Sequence, residues 1–219
     1  MRAGERKREL IYATAMELFR TKGFEDTTMR GIAERAGISL GSAYHYYASK
    51  AAIVFDYYSR LQAEHEAHVE SLYDEAMEVE ARLVAVTKLK LELARPDRKL
   101  LIEVATALVR PGDKLSAFSE ENTDIRNRSI DVFARAIEAV PLTEEQRHAF
   151  ASLIWVAHLG IFLYFVHDES HEQARTFALV EDAARLLTPL LFLATTTMAA
   201  PVAEAAFAAI AKAGLLPKS

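Results

Sequence analysis

Between residues 28 and 47 the sequence sets two short apolar-periodic segments around the joint Ala36-Gly37-Ile38-Ser39, and this spacing constrains the fold more than any other feature. In the first segment Met29, Ile32, Ala33 and Ala36 recur at i, i+3, i+4 and i+7, one face of a helix about two turns long. Thr28 is a suitable N-cap for it, and Gly37 stops it. Ser39 caps a second short helix two residues after that glycine. Two short helices joined so tightly read as a helix-turn-helix: Gly37 permits the left-handed turn, and Ile38 plugs the core between them.

The surrounding chain reads as helix throughout. Ile11, Ala15, Leu18 and Phe19 form one stripe and predict a helix over 6–22, stopped by Gly23. Ser49 caps a fourth helix that starts at Lys50, has Ile53, Val54, Tyr57 and Leu61 as its inner face, and continues without a clear stop. Further helices are expected near 77–94, 97–110, 119–140, 143–167, 171–196 and 201–213, with proline-marked boundaries at "ARPDRK", "VRPGDK" and "VPLTEEQ". Thr143 and Gln146 make a capping box. Pro189 should kink its helix, Pro201 suits the first turn of the last one, and Gly214 should end it. With eight glycines and six prolines in 219 residues, an all-α fold is favoured over a turn-rich β fold. The expected division is a three-helix head over 1–50 and a larger helical body over 51–219.

The stretch "RAGISLGSAYHYYASK" carries charge only at its ends, Arg35 and Lys50. A helix-turn-helix lays its second helix in the DNA major groove, and small residues let that helix come close. Leu40, Gly41, Ser42 and Ala43 supply such a face, and serine and tyrosine hydroxyls can bond phosphate or base edges. Charge comes from the flanks: Arg2, Arg6, Lys7, Arg8, Arg30, Arg35 and Lys50. Residues 1–60 carry 10 Lys/Arg against 7 Asp/Glu, so a mildly basic head sits on an acidic body, although the whole chain has net charge −5. The same tyrosines at helical spacing also suit core packing with a solvated hydroxyl.

Residues 6–60 resemble the DNA-binding domain of TetR-family transcriptional regulators. The likeness rests on "ATAMELFRTKGFEDTTMRGIAERAGISLGSAYHYYASK", in particular Leu18-Phe19, Gly23-Phe24, Thr28, Ile32-Ala33, Ala36-Gly37-Ile38-Ser39, Gly41, Tyr44, Tyr47 and Lys50. Two departures stand out: Tyr47 replaces the usual Phe, and His45-Tyr46 reverses the commoner aromatic-then-His order. The resemblance implies that Thr28 and Lys50 contact phosphate, and that Ser39, Leu40, Gly41 and Ser42 face the major groove. It also places Tyr44 against the sugar-phosphate wall or a thymine methyl, His45 and Tyr46 near phosphates or bases, and Tyr47 in the core.

For the body, Ala149–Val166 and Leu186–Ala203 are each 18 residues without Asp, Glu, Lys or Arg. The resemblance implies a homodimer through the apolar helices near 143–167 and 171–196, and hence a near-palindromic operator. It further implies a small-molecule effector whose binding releases DNA. Candidate ligand residues are Tyr73, Met77, Phe118, Trp155, His158 and Phe162, of which Trp155, His158 and Phe162 share one helix face. Simple core packing is the competing reading for each. His65 and His68, like His167 and His171, read as solvated faces rather than metal ligands, so no metal or cofactor is expected. A membrane-spanning pair is disfavoured by Thr188, Pro189, Thr195, Thr196, Thr197 and Pro201 in the second run. No enzyme signature appears: there is no phosphate loop, nucleophile elbow or HExxH. Cysteine is absent, which excludes disulfides and thiol chemistry, and "MRAGERKREL" has no apolar run, so a cytoplasmic location is expected. The alternative function is a helical dimeric interaction module without specific DNA binding.

Overall fold

The structure, a computed structural model, describes residues 3–73 and 76–196, together with 201, 205, 208, 209, 211 and 212. Every regular element among them is helical. The helices are α1 (Ala3–Lys22), α2 (Met29–Arg35), α3 (Leu40–Tyr46), α4 (Lys50–Leu72), α5 (Val79–Ala94), α6 (Arg98–Val109), α7 (Thr123–Ala136), α8 (Glu144–His167) and α9 (Ala174–Leu193). Arg2, Thr197 and Gly214, and most of the helix expected over 201–213, lie outside the described residues. The chain forms two compact units, Met1–Leu61 with Ala94–Thr123, and Gln62–Leu93 with Asp124–Ser219.

In the first unit the expected caps are in place. The Thr28 hydroxyl accepts from Gly31 N at 3.0 Å, Ser39 from Ser42 N at 3.1 Å, and Ser49 from Ala52 N at 3.2 Å. Gly37 takes φ 67° and Gly23 φ 96°, the left-handed region open to glycine. Ile11, Phe19, Ile32 and Ile53 are fully buried and join α1, α2 and α4 in one core. Burying each is worth about 1.5–3 kcal/mol. Helix α6 belongs to this unit. Its Glu103 accepts from the backbone N–H of Phe24 at 2.5 Å and Glu25 at 3.1 Å, and Asp97 just before it pairs with Arg20 at 2.6 Å.

In the second unit Val86, Leu91, Phe133, Phe165 and Val166 are fully or almost fully buried. The capping box at Thr143 and Gln146 opens α8. Helix α7 is shorter at both ends than the expected 119–140. Before it, buried Asn122 donates to Lys114 O at 3.1 Å and Ser116 O at 2.9 Å, closing a loop over 114–122. After it, Arg147 donates to Ile137 O and Glu138 O, both at 2.9 Å, so a side chain occupies carbonyls that a longer helix would have used. Helix α9 starts at Ala174 rather than 171 because Glu172 and Gln173 take φ 52° and 57°. Helix α9 continues past Pro189 to Leu193. Among the described residues only α8 is long and apolar enough to cross a membrane, and half of its apolar window is buried inside the protein.

One of the four histidines read as solvated needs correction. His65 is not on a solvated face: it is 2% exposed, with its ring against the backbone of α5, whereas His68 is exposed. Asp168, between exposed His167 and His171, is also buried. Its carboxylate accepts from Ser170 N, Thr176 N and the Thr176 hydroxyl at 2.9, 2.9 and 2.7 Å, stapling the α8–α9 connection. A periodicity argument cannot see either arrangement, because both depend on what another segment brings to the side chain.

Candidate nucleic-acid interface

Helix α3 has one inward and one outward face. Ala43 is fully buried and Tyr47, just past the helix, is 2% exposed, so this side closes onto the core of the first unit. Gly41, Tyr44 and His45 point outward, with Leu40, Ser42 and Tyr46 at the margins. Tyr44 is half exposed. The His45 and Tyr46 rings meet edge to face at 5.1 Å. Thr28 and Ser39 are exposed at the first turns of α2 and α3; each hydroxyl accepts a backbone bond and keeps its own proton for an outside acceptor.

Gly41 carries the most pointed information. A Cβ built there meets nothing within 4 Å, and its φ is not in the left-handed region. Neither internal packing nor backbone conformation requires glycine at this position, yet glycine in a helix costs about 0.5–1 kcal/mol relative to alanine. A missing side chain with no internal purpose, on the outward face of a helix-turn-helix, suits close approach by an external surface.

Several flanking cations are tied down within the unit. Lys50 donates to Phe24 O at 2.5 Å and Glu25 O at 3.2 Å, with its ammonium 4.4 Å from the Phe24 ring centroid. It therefore braces the α1–α2 turn from one side while Glu103 holds the N–H groups of the same residues. One ammonium proton remains for a phosphate. Arg35 pairs with Glu17 at 2.7 Å, both well exposed. Arg8 donates to the Tyr47 hydroxyl at 3.3 Å and pairs with Asp56 at 3.3 Å; the Tyr47 hydroxyl donates to Asp56 in turn. Burial, then the Asp56 bond, pushes the Tyr47 phenol up to about 12. The hydroxyl that distinguishes Tyr47 from phenylalanine is thus used inside the unit. Lys7 and Arg30 are exposed.

The ligand candidates are spread more widely. Trp155, His158 and Phe162 are all buried on α8, with the His158 ring 5.3 Å from that of Phe133 and 6.4 Å from that of Phe162. Tyr73 and Met77 lie in the connection from α4 to α5, and the Arg82 guanidinium stands over the Tyr73 ring at 5.2 Å. Phe118 is half exposed in the first unit and so does not share a compact unit with the other five.

Sequence reasoning missed a half-buried basic group in the second unit. The Lys90 ammonium donates to Gln62 Oε1 at 2.7 Å, and burial pushes its pKa down to about 7. His65 Nε2 meets Val86 O at 2.9 Å, and burial, with the Lys90 charge next, lowers this imidazole to about 3. His158 is lowered to about 3 by burial, then by Lys90 and His65. A signal existed. Val79, Leu83, Val86, Lys90 and Ala94 recur at helical spacing, so a lysine stands on the buried stripe of α5.

Comparison with known proteins fits this geometry. The family model "Bacterial regulatory proteins, tetR family" matches residues 11–57, and "Tetracyclin repressor-like, C-terminal domain" matches residues 82–206. No curated protein matches the chain. Among solved structures, a TetR-family regulator from Pectobacterium atrosepticum is similar at TM-score 0.67 and 21% identity, covering 87% of this chain and 97% of that one. The TetR-family repressor FadR of Thermus thermophilus, solved with lauroyl-CoA, is similar at TM-score 0.66 and 22% identity over 87% and 95% of the two chains. The fatty acid degradation regulator FadR of Bacillus halodurans gives TM-score 0.61 and 17% identity over 81% and 94%. At these identities the structures speak for the fold alone. The matched models span both the helix-turn-helix and most of the helical body, and the chain belongs to the TetR family of bacterial transcriptional regulators.

Proposed function

We propose that this regulator is a ligand-responsive repressor that binds a near-palindromic operator as a homodimer and releases it when a small molecule enters the second unit. The observation that carries the DNA reading is the outward face of α3, where Gly41 is open to solvent and Tyr44 is half exposed, with the hydroxyl caps Thr28 and Ser39 exposed in the same unit. Its readers are Thr28, Ser39, Leu40, Gly41, Ser42, Tyr44, His45, Tyr46 and Lys50. The proposed division of labour keeps 1–50 as the DNA-binding head and 51–219 as the effector and dimer portion.

Support for the homodimer comes from α8 and α9. Leu153, Val156 and Tyr164 on α8, and Leu179, Leu186 and Leu190 on α9, are all exposed, Leu186 at 73%. They recur at helical spacing, so each helix presents an apolar stripe to the outside. Gly160 lies within the α8 stripe, with nothing within 4 Å of an added Cβ, as expected where a partner helix crosses closely. A C2 pair would cover both stripes at once. The effector would be an apolar molecule received around Trp155, His158 and Phe162, in a protein working in the cytoplasm as a non-enzymatic DNA binder. The lauroyl-CoA held by the Thermus thermophilus relative makes acyl chains the first probes.

In-vitro selection from random duplex DNA with the purified protein, at two salt concentrations, tests the reading. A near-palindromic site is expected, with affinity falling steeply with salt as phosphate contacts release counterions. Tyr44→Ala should weaken binding to that site while leaving the helical signal unchanged. Enrichment of no sequence by a folded, ligand-stripped dimer would favour an interaction module instead.

A further inference from the structure

We propose that Lys90, His65 and His158 form a receiving site for the carboxylate of an apolar acid, and that this acid is the effector of the repressor described above, so the inference rests on that reading.

The arrangement leaves a cation inside the second unit without an anion of its own. Glu66 is the neighbouring carboxylate, and its oxygens are already taken. Arg128 donates to both of them, at 3.0 Å from Nε to Oε1 and 2.6 Å from Nη2 to Oε2, and Gln62 Nε2 donates to Oε1 at 2.9 Å. The Lys90 ammonium is left with the neutral Gln62 Oε1, which uses one of its three protons. A half-buried lysine without an ion-pair partner is costly to keep charged, and an apolar residue of similar size would serve packing better.

Two imidazole nitrogens nearby are also unsatisfied. His65 Nε2 must donate to the Val86 carbonyl, which leaves Nδ1 as a bare acceptor. His65 Nδ1 and His158 Nδ1 are both buried and find no hydrogen-bond partner in the protein. These side chains are only 2% and 6% exposed. A carboxyl group entering with one proton supplies an anion for Lys90 and a single proton for the three bases. Its oxygens accept from the spare Lys90 N–H groups, and its proton sits on whichever base has the stronger claim. A purely apolar ligand would leave all three groups as they are.

The surroundings suit an apolar body behind that carboxylate. The His158 ring packs against Phe133 and Phe162, and it borders a cavity of about 50 Å³ otherwise lined mainly by aliphatic side chains such as Leu83, Ile154 and Val180. That volume admits only a few atoms. An acid of useful size has to displace α5, α8 or α9, which is how occupancy would select one conformation over another.

The charge state gives a readout that packing alone would not produce. The groups facing Lys90 are His65 and Glu66 on α4, Arg128 on α7 and His158 on α8, with Arg135 acting on His65. A bound carboxylate favours the protonated lysine and raises its pKa. Since Lys90 titrates near 7 before binding, binding at pH 8 should take up close to one proton per acid. Uptake by Lys90 should shrink toward pH 6.

The test is calorimetry on the full-length protein at pH 8 in two buffers of different ionisation enthalpy. The probes are decanoate and 4-phenylbutyrate, each beside its primary amide, with lauroyl-CoA as a further arm. The acids should bind with proton uptake, and the amides at least about tenfold more weakly. Lys90→Met should lose about tenfold or more for the acids with little change for the amides. If Lys90→Met does not fold, His158→Phe replaces it, with the same expected loss. Equal binding of acid and amide, acid binding without proton uptake, full retention of acid affinity in the variant, or no acid binding overturns the proposal. Lauroyl-CoA bound equally by parent and variant, with no acid binding, would sink this inference and leave the ligand-responsive reading standing. Failure of every probe, lauroyl-CoA included, counts against both.

Discussion

Replacing Gly41 by alanine separates folding from DNA reading more cleanly than any other single change. The added methyl group meets no atom of the protein within 4 Å, and the backbone is not in the left-handed region, so the fold accommodates it without strain. Removing a helical glycine should stabilise the protein by up to about 1 kcal/mol, less near the first turn of a short helix. For a chain of this size that raises the melting temperature by at most about 2–4 °C. DNA binding should move the opposite way. If the α3 surface sits against the groove at Gly41, a methyl group there forces the helix outward and disturbs one direct contact. At about 1–3 kcal/mol for each good base contact, the selected operator should be bound roughly 5- to 150-fold more weakly. Non-specific binding, which rests on phosphates, should change much less. Differential scanning calorimetry and fluorescence anisotropy on the same preparation give both numbers. An alanine variant at least as stable as the parent, with undiminished operator affinity, would falsify the placement of Gly41 against DNA. A destabilised variant would show that the open space seen beside Gly41 is wrong.

Leu186→Glu puts a charge at the most exposed large apolar residue of α9, and light scattering should show the dimer dissociating, with the monomer still helical. A dimer of unchanged stability would remove α9 from the interface. Glu103→Ala leaves the half-buried Phe24 N–H unpaired and hands the exposed Glu25 N–H to water, at a cost of about 1 kcal/mol in the first unit. Hydrogen exchange should quicken first at those two amides, and uniform quickening would argue against a local brace. The Asp168 carboxylate is opposed by burial, but bonds from Thr176 and Ser170 outweigh this and hold its pKa well below the ordinary value near 3.8. A depressed acid contributes stability that is fully present above the unfolded-state value and is lost as pH falls below it. The parent should therefore lose more melting temperature than Asp168→Asn between pH 5 and pH 3, and parallel curves would refute the staple.

The helix-turn-helix was legible because each part is local. Thr28, Ser39 and Ser49 bond to N–H groups three residues away, and Gly37 answers a conformational demand of its own backbone. The capping box at Thr143 belongs to the same class. What escaped depends on long-range partners. The α9 start shifts because Asp168 reaches eight residues forward to Thr176, and α7 ends early because Arg147 comes back to the carbonyls just past it. His65 looked solvated because its neighbours Glu64 and Glu66 are polar, whereas burial follows the i+4 stripe Leu61, His65 and Val69. Lys50 stands where the resemblance implies a phosphate contact, and its hydrogen bonds within the protein go to the Phe24 and Glu25 carbonyls. Sequence pattern located that residue; only coordinates reveal how much of its bonding capacity is already spoken for.

The connectivity of the chain suggests why a carboxylate at Lys90 would matter to DNA. The chain passes between the two units three times, at Leu61/Gln62 within α4, at Leu93/Ala94, and at Thr123/Asp124. Gln62, Lys90 and Arg128 each lie within four residues of a different crossing. They are linked to one another, Lys90 to Gln62 at 2.7 Å, Gln62 to Glu66 at 2.9 Å and Glu66 to Arg128 at 2.6 Å. An acid held by the spare Lys90 N–H groups pulls on the ammonium and weakens its bond to Gln62, the link between the first two crossings, while the link to the third remains. No long pathway has to be invoked, only two arrangements of one short network with different affinities for the acid. Coupling of this kind is reciprocal: the factor by which the acid lowers operator affinity must equal the factor by which operator lowers acid affinity, typically about 5- to 150-fold. Gln62→Leu cuts the network while keeping Lys90, so acid binding should survive and that factor should fall toward one. Undiminished coupling in a Gln62→Leu protein that still binds acid would show that the ligand reaches the DNA-reading unit by another route.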